Sequence, residues 1–113
     1  MKKMSQTSIV LGSGKQQIKV DYLRSKKAAL ILRAVNHKLR QQMIKLIDEK
    51  QKIVVTEIYV KLKLEQSVAS QHLAILRRAG IVSTQRDGKF IYYSVNYPRV
   101  QEVVDFVEQL LGK

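Results

Sequence analysis

From Asp21 onward, apolar residues return at helical spacing. Leu23, Leu30, Ile31, Ala34 and Val35 follow Asp21, whose carboxylate suits a helix N-cap. Asn36 then offers a break and a second cap. After it, Leu39, Met43, Leu46 and Ile47 fall at i, i+4, i+7 and i+8, one buried stripe. Lys52-Ile53-Val54-Val55 is short and β-branched and predicts a single extended stretch. Thr56 is expected to cap a brief helix running to about Lys61. A further helix is predicted from about Glu65 to Ala79, ended by Gly80.

Beyond Gly80 the period changes. Ile81 to Arg86 and Lys89 to Val95 alternate as strands around Asp87-Gly88, a strong short-range hairpin signal. Val82, Thr84, Ile91, Tyr93 and Val95 share one strand face and are expected to hold the hairpin on the core. Phe90 and Tyr92 fall on the other face, where packing is a better reading than base stacking. Pro98 opens a last helix, where its missing N–H costs nothing. There Val100, Val103, Val104, Val107, Leu110 and Leu111 keep i, i+3, i+4, i+7 spacing. Met1 to about Val20 differs, with Gly12-Ser13-Gly14, many small or polar residues, and four lysines without an acid. Residues 1–20 therefore predict a flexible basic arm, and residues 21–113 a domain.

The order is helix, helix, short strand, helix, helix, hairpin, helix. The fold class expected is mostly α with a small β-hairpin (α+β), a winged helix-turn-helix.

Composition sharpens this picture. The chain has 113 residues, enough for one domain, and 45% are apolar, too many for a disordered polycation. Cysteine is absent, which removes disulfides, thiolate metal sites and thiol switches together. No apolar run approaches the roughly 18 residues that span a bilayer. Ile9-Val10-Leu11 is too short for a signal-peptide core, so a cytoplasmic location is expected. Lys and Arg number 21 against 9 Asp and Glu, a formal net charge of +12. Such an excess calls for an acidic partner, double-stranded nucleic acid ahead of an anionic membrane surface.

The predicted 65–79 helix has two faces. Ala69, Leu73 and Leu76 centre an inner arc extended by Val68, His72, Ile75 and Ala79. Opposite lie Gln66, Ser67, Ser70, Gln71, Ala74, Arg77 and Arg78. Gln reads both edges of adenine, and Ser suits base or phosphate, so Gln66, Ser67, Ser70 and Gln71 are the expected base-contacting residues. Arg77 and Arg78, two turns later, are expected on phosphates. An ordinary solvated helix face has the same composition, and the hairpin tips the balance. With Asp87-Gly88 as the two turn residues, Arg86 and Lys89 stand opposite each other, a like-charge pair that a phosphate would relieve.

Leu64-Glu65-Gln66-Ser67-Val68-Ala69-Ser70-Gln71-His72-Leu73-Ala74-Ile75-Leu76-Arg77-Arg78-Ala79-Gly80-Ile81-Val82 resembles the recognition helix of the ArsR/SmtB repressors. Arg86-Asp87-Gly88-Lys89-Phe90-Ile91-Tyr92-Tyr93 is similar to that family's wing, and Leu32-Arg33-Ala34-Val35-Asn36-His37-Lys38-Leu39-Arg40 to its second-helix entry. The resemblance covers about Asp21 to Leu111 and is most specific from Gln66 to Tyr93. Lys63 departs from it, since the family often has Gly in that turn.

The resemblance implies a homodimeric bacterial repressor that leaves its operator when an inducer binds. It also implies a dimer interface of the first and last helices, here Leu23, Leu30, Val100, Val103, Val104, Val107, Leu110 and Leu111. The last helix has no later element to cover its apolar face, which agrees, although packing within the chain is the competing reading.

The metal sensors of that family do not carry over. Where the family places cysteines this chain reads Val54-Val55-Thr56-Glu57-Ile58, and 97–113 holds Asp105 and Glu108 but no histidine. Zinc or copper needs imidazole or thiolate support, so no metal and no cofactor is expected and the effector is left open. Only two histidines occur. His72, on the inner arc, reads as a packed, hydrogen-bonded residue, and His37 as positional. No nucleophile–base pair, phosphate loop or metal triad appears, which argues against an enzyme. The leading expectation is a sequence-specific, homodimeric DNA-binding repressor on an inverted repeat. The alternative is a winged-helix interaction module, or a DNA binder that reads no operator.

Overall fold

The computed structural model describes residues 7–112. Ten elements follow in order: β1 (Ser8–Leu11), β2 (Ile18–Asp21), α1 (Tyr22–Val35), α2 (Lys38–Lys50), β3 (Ile53–Val54), α3 (Val55–Lys61), α4 (Gln66–Arg78), β4 (Val82–Asp87), β5 (Phe90–Val95) and α5 (Tyr97–Leu111). The chain divides into two compact units between Leu30 and Ile31, within the α1 sequence.

In the first unit, strands occupy much of the segment expected as a flexible arm. Ile9 pairs with Val20 and Leu11 with Ile18, antiparallel. Gly12 (φ +81) and Gly14 (φ +61) reverse the chain between them, which only glycine does without strain. Residues 1–6 of the expected arm lie outside the described residues. Asp21 caps α1 as expected, its Oδ1 accepting the Arg24 N–H at 3.1 Å.

In the second unit a core of Met43 and Ile47 from α2, Ile53, Ile58, and Leu73 and Leu76 from α4 is fully buried. Burial of each such side chain contributes about 1.5–3 kcal/mol. β3 is the extended stretch expected near Ile53, and it pairs with β5 to give a sheet ordered β3-β5-β4. Two caps move from their expected places. Asn36 closes α1, its N–H donating to Leu32 and Arg33 carbonyls, and His37 caps α2 through Nδ1, 3.1 Å from the Leu39 N–H donor. Val54, not Thr56, starts α3, because the backbone passes straight from the β3 ladder into the helix.

The hairpin register also differs from expectation. Asp87 pairs with Phe90 and Arg86 with Ile91, so Gly88 and Lys89 form the turn. Positive φ occurs at Gly88 (+66) and not at Lys89, the pattern of a type II′ turn. Arg86 and Lys89 therefore do not face each other across the ladder. In this register Val82 pairs with Val95 and Thr84 with Tyr93, and Val82, Tyr93 and Val95 pack on the core as expected. Ile91, paired with Arg86 toward the wing tip, is 40% exposed and does not.

Candidate nucleic-acid interface

α4 is amphipathic because small and branched apolar residues recur on one side of it. Ala69, Leu73 and Leu76 are buried, and Gln66, Ser67, Ser70, Gln71, Arg77 and Arg78 are exposed. The outer ridge thus begins with four short hydrogen-bonding side chains and ends with two guanidinium groups. α3 and the turn before α4 set this helix in place. The Leu64 N–H donates to the Tyr59 carbonyl at 2.9 Å, and Lys63 holds a φ of +57. That left-handed position is the structural reason glycine suits the turn.

The wing follows α4 by a tight exit. Gly80 (φ +78) ends the helix, and the Ile81 N–H donates to the Leu76 carbonyl at 2.9 Å. At the wing tip, Arg86 Nη1 lies 3.5 Å from the Gly88 carbonyl it donates to. Lys89 Nζ sits 5.7 Å from the Phe90 ring centroid, and Lys52 Nζ 5.0 Å from that of Tyr92. Among the described residues the salt bridges are Lys45–Glu49 and Arg99–Glu102, so the charges of Arg77, Arg78, Arg86 and Lys89 stay open to an anion. Phe90 and Tyr92 meet edge to face at 6.5 Å, so they pack on each other.

A family model described as bacterial regulatory protein, arsR family, matches residues 37–84. The chain is 36% identical over 84 residues to an HTH-type transcriptional regulator of Methanocaldococcus jannaschii, covering 74% of this chain and 94% of that one. The chain belongs to the ArsR family. It is 30% identical over 92 residues to the transcriptional repressor PagR of Bacillus anthracis, covering 81% of this chain and 92% of the relative. HlyU from Vibrio cholerae has a solved structure that superposes with a TM-score of 0.61 at 30% identity, over 80% of this chain and 97% of that one. This ArsR-family chain is a winged helix-turn-helix transcriptional regulator that binds DNA, and its family and relatives are regulators rather than enzymes.

The family's dimer helices are only partly free here. Val103 is buried in its own protomer, and Val100 and Val107 pack against the same core. These three turn inward because α5 covers the second unit. Val104, Leu110 and Leu111 remain exposed, as do Leu23 and Leu30 of α1. Phe106, 43% exposed, falls at i+3 from Val103 and was left out of the apolar stripe read from the sequence.

Asp105 accepts from Gln101 Nε2 at 2.9 Å and Glu108 is exposed, the arrangement of a solvated helix face. Among the described residues, no three His, Asp or Glu side chains are grouped to hold a metal ion. Among the described residues, no helix is long and apolar enough to cross a membrane. The two histidines, 35 residues apart in sequence, come together with ring centroids 4.9 Å apart. Arg40, buried beside them, carried a signal in the sequence: a charged residue on the same helix stripe as Met43 and Ile47.

Proposed function

We propose that this regulator works as a homodimer on an inverted-repeat operator, with one α4 from each protomer in successive major grooves. The observation that carries this reading is the exposed ridge of Gln66, Ser67, Ser70 and Gln71 standing opposite the buried Ala69, Leu73 and Leu76. These four side chains contact base edges, and Arg77, Arg78, Arg86 and Lys89 contact phosphates. Two such helices about 34 Å apart read two half-sites one helical turn apart. The dimer seam draws on the exposed Val104, Leu110 and Leu111 of α5 and, taken separately, on the exposed Leu23 and Leu30 of α1. Occupancy of the operator represses, as the name of the Bacillus anthracis relative states for that protein. The protein resides in the cytoplasm.

Selection from randomised duplexes tests the reading. Recovery of an inverted repeat supports it. Recovery of no sequence preference, with salt-sensitive binding to any duplex, replaces it with a DNA binder that reads no operator.

A further inference from the structure

Arg40 is only 6% exposed, and among the described residues it forms no salt bridge with a carboxylate. Its guanidinium donates instead to three acceptors. Nε reaches the Ala34 carbonyl at 2.7 Å, Nη2 the Arg33 carbonyl at 2.9 Å, and Nη1 meets His72 Nδ1 at 3.1 Å. The two carbonyls belong to the last turn of α1, where the helix dipole is negative and suits a cation. The third acceptor lies on α4, one residue from Gln71.

A guanidinium has donors and no acceptor. His72 Nδ1 must therefore present its lone pair, which makes the ring neutral with its proton on Nε2. A second proton, on Nδ1, would point an N–H at an N–H. Burial first, then His37 and Arg40, hold the His72 pKa below its ordinary 6.5. Both of those side chains come from the start of α2. α3 carries Glu57 and Lys61, and β4 carries Arg86 and Asp87. All four are exposed, and none acts on the ring, while Arg33 of α1 offers Arg40 its carbonyl.

We propose that Arg40 and His72 are positioning residues for base reading, coupling α4 to the end of α1 only while His72 is neutral. The inference rests on α4 being the reading helix. A recognition helix must be held to within about 0.5 Å of its working geometry, and this link bears on the turn that carries Ser70 and Gln71. Protonation of Nδ1 breaks the link, and operator preference declines while phosphate attraction persists.

The test is fluorescence anisotropy on the duplex recovered by selection and on a random duplex, with the full chain. It is run at about pH 7.5 and about pH 5.5, the range in which histidine changes charge. His72→Asn places an amide oxygen near the Nδ1 position and takes up no proton; His72→Phe fills space without an acceptor. In the unmodified protein the operator-to-random affinity ratio should fall about tenfold over this range, the scale of one hydrogen bond to a charged group. His72→Asn should hold its ratio across both pH values, and His72→Phe should start at the lowered ratio. A parallel fall in His72→Asn, or a full ratio in His72→Phe at the higher pH, overturns the inference. If His72→Phe does not fold, the His72→Asn profile decides. Gln71→Ala, measured beside them, separates the two claims: an undiminished ratio there removes α4 as the reading helix, and the inference with it.

Discussion

The side-chain amide of Asn96 donates to the Gly80 carbonyl at 2.9 Å. The same residue caps α5, its Oδ1 accepting the Arg99 N–H at 3.5 Å, and its own N–H donates to the Ile81 carbonyl at 2.9 Å. One short polar residue thus ties the exit of α4 to the entry of α5.

Two substitutions at this junction should each lower stability by about 1–2 kcal/mol. Asn96→Ala removes the cap and strands the Gly80 carbonyl. Gly80→Ala puts a Cβ at φ +78, 3.1 Å from Arg99 Nε; the arginine end moves aside, so the left-handed backbone sets the cost. Urea melts read both, and unchanged midpoints would contradict the junction's role.

Lys63 offers the opposite sign. At φ +57 a side chain is strained, so Lys63→Gly should raise stability by roughly 0.5–1 kcal/mol, the relief of strain exceeding the added freedom of the unfolded chain. Gln51, at φ +69, makes a useful contrast. Its Nε2 donates to the Asp48 carbonyl at 2.8 Å, so Gln51→Gly loses a contact and should gain less. A melt of Lys63→Gly below that of the unmodified protein counts against the strain.

Base and phosphate contacts separate by their salt response. A dimer making about 6–10 phosphate contacts should lose roughly 10³–10⁵ in affinity between about 50 and 200 mM salt. Lys89→Ala should weaken operator and random duplex alike and flatten that slope, while Gln71→Ala should cost about 1–3 kcal/mol on the operator alone. Equal losses from both variants on both duplexes would refute the division.

Val103 and Val104 are neighbours with opposite exposures, 9% and 45%. Val104→Glu should leave the melting temperature of the protomer intact and shift sedimentation toward a monomer. Val103→Glu buries an unpaired charge and should unfold the chain by several kcal/mol. A Val104→Glu protein that sediments as the unmodified protein does would remove α5 from the seam.

Acid should destabilise the fold through His72. Its folded pKa lies below 6.5, so near that pH the unfolded chain binds a proton that the folded chain refuses. The contribution is complete above pH 6.5 and is lost as pH falls toward the folded value. Thermal melts should therefore be level above about pH 6.5 and decline below it, and His72→Asn should remove part of that decline. Identical declines in the two proteins would assign the acid sensitivity elsewhere.

Much of the architecture was legible along the chain, because helices and strands bury one face and leave a period behind. The stripe of Met43 and Ile47, the two faces of α4 and the Gly80 stop are local consequences of residue order. The outward set of Gln66, Ser67, Ser70 and Gln71 follows from the same arithmetic. Local rules were weaker at Asn36 and Thr56, where several residues suit a cap and only the path of the neighbouring elements selects His37 and Val54. Asp87-Gly88 and Gly88-Lys89 are both acceptable turns, and pairing along the whole of β4 and β5 chose the second.

Periodicity determined which apolar residues of α4 share a face and which α4 residues face away from them, since both are properties of a single helix. Which valines of α5 serve the protomer, and that Arg40 joins α1 to His72, depended on helices distant in sequence meeting. Contacts of that kind leave no spacing to read: their energy comes from surfaces that exist only once the chain has closed on itself.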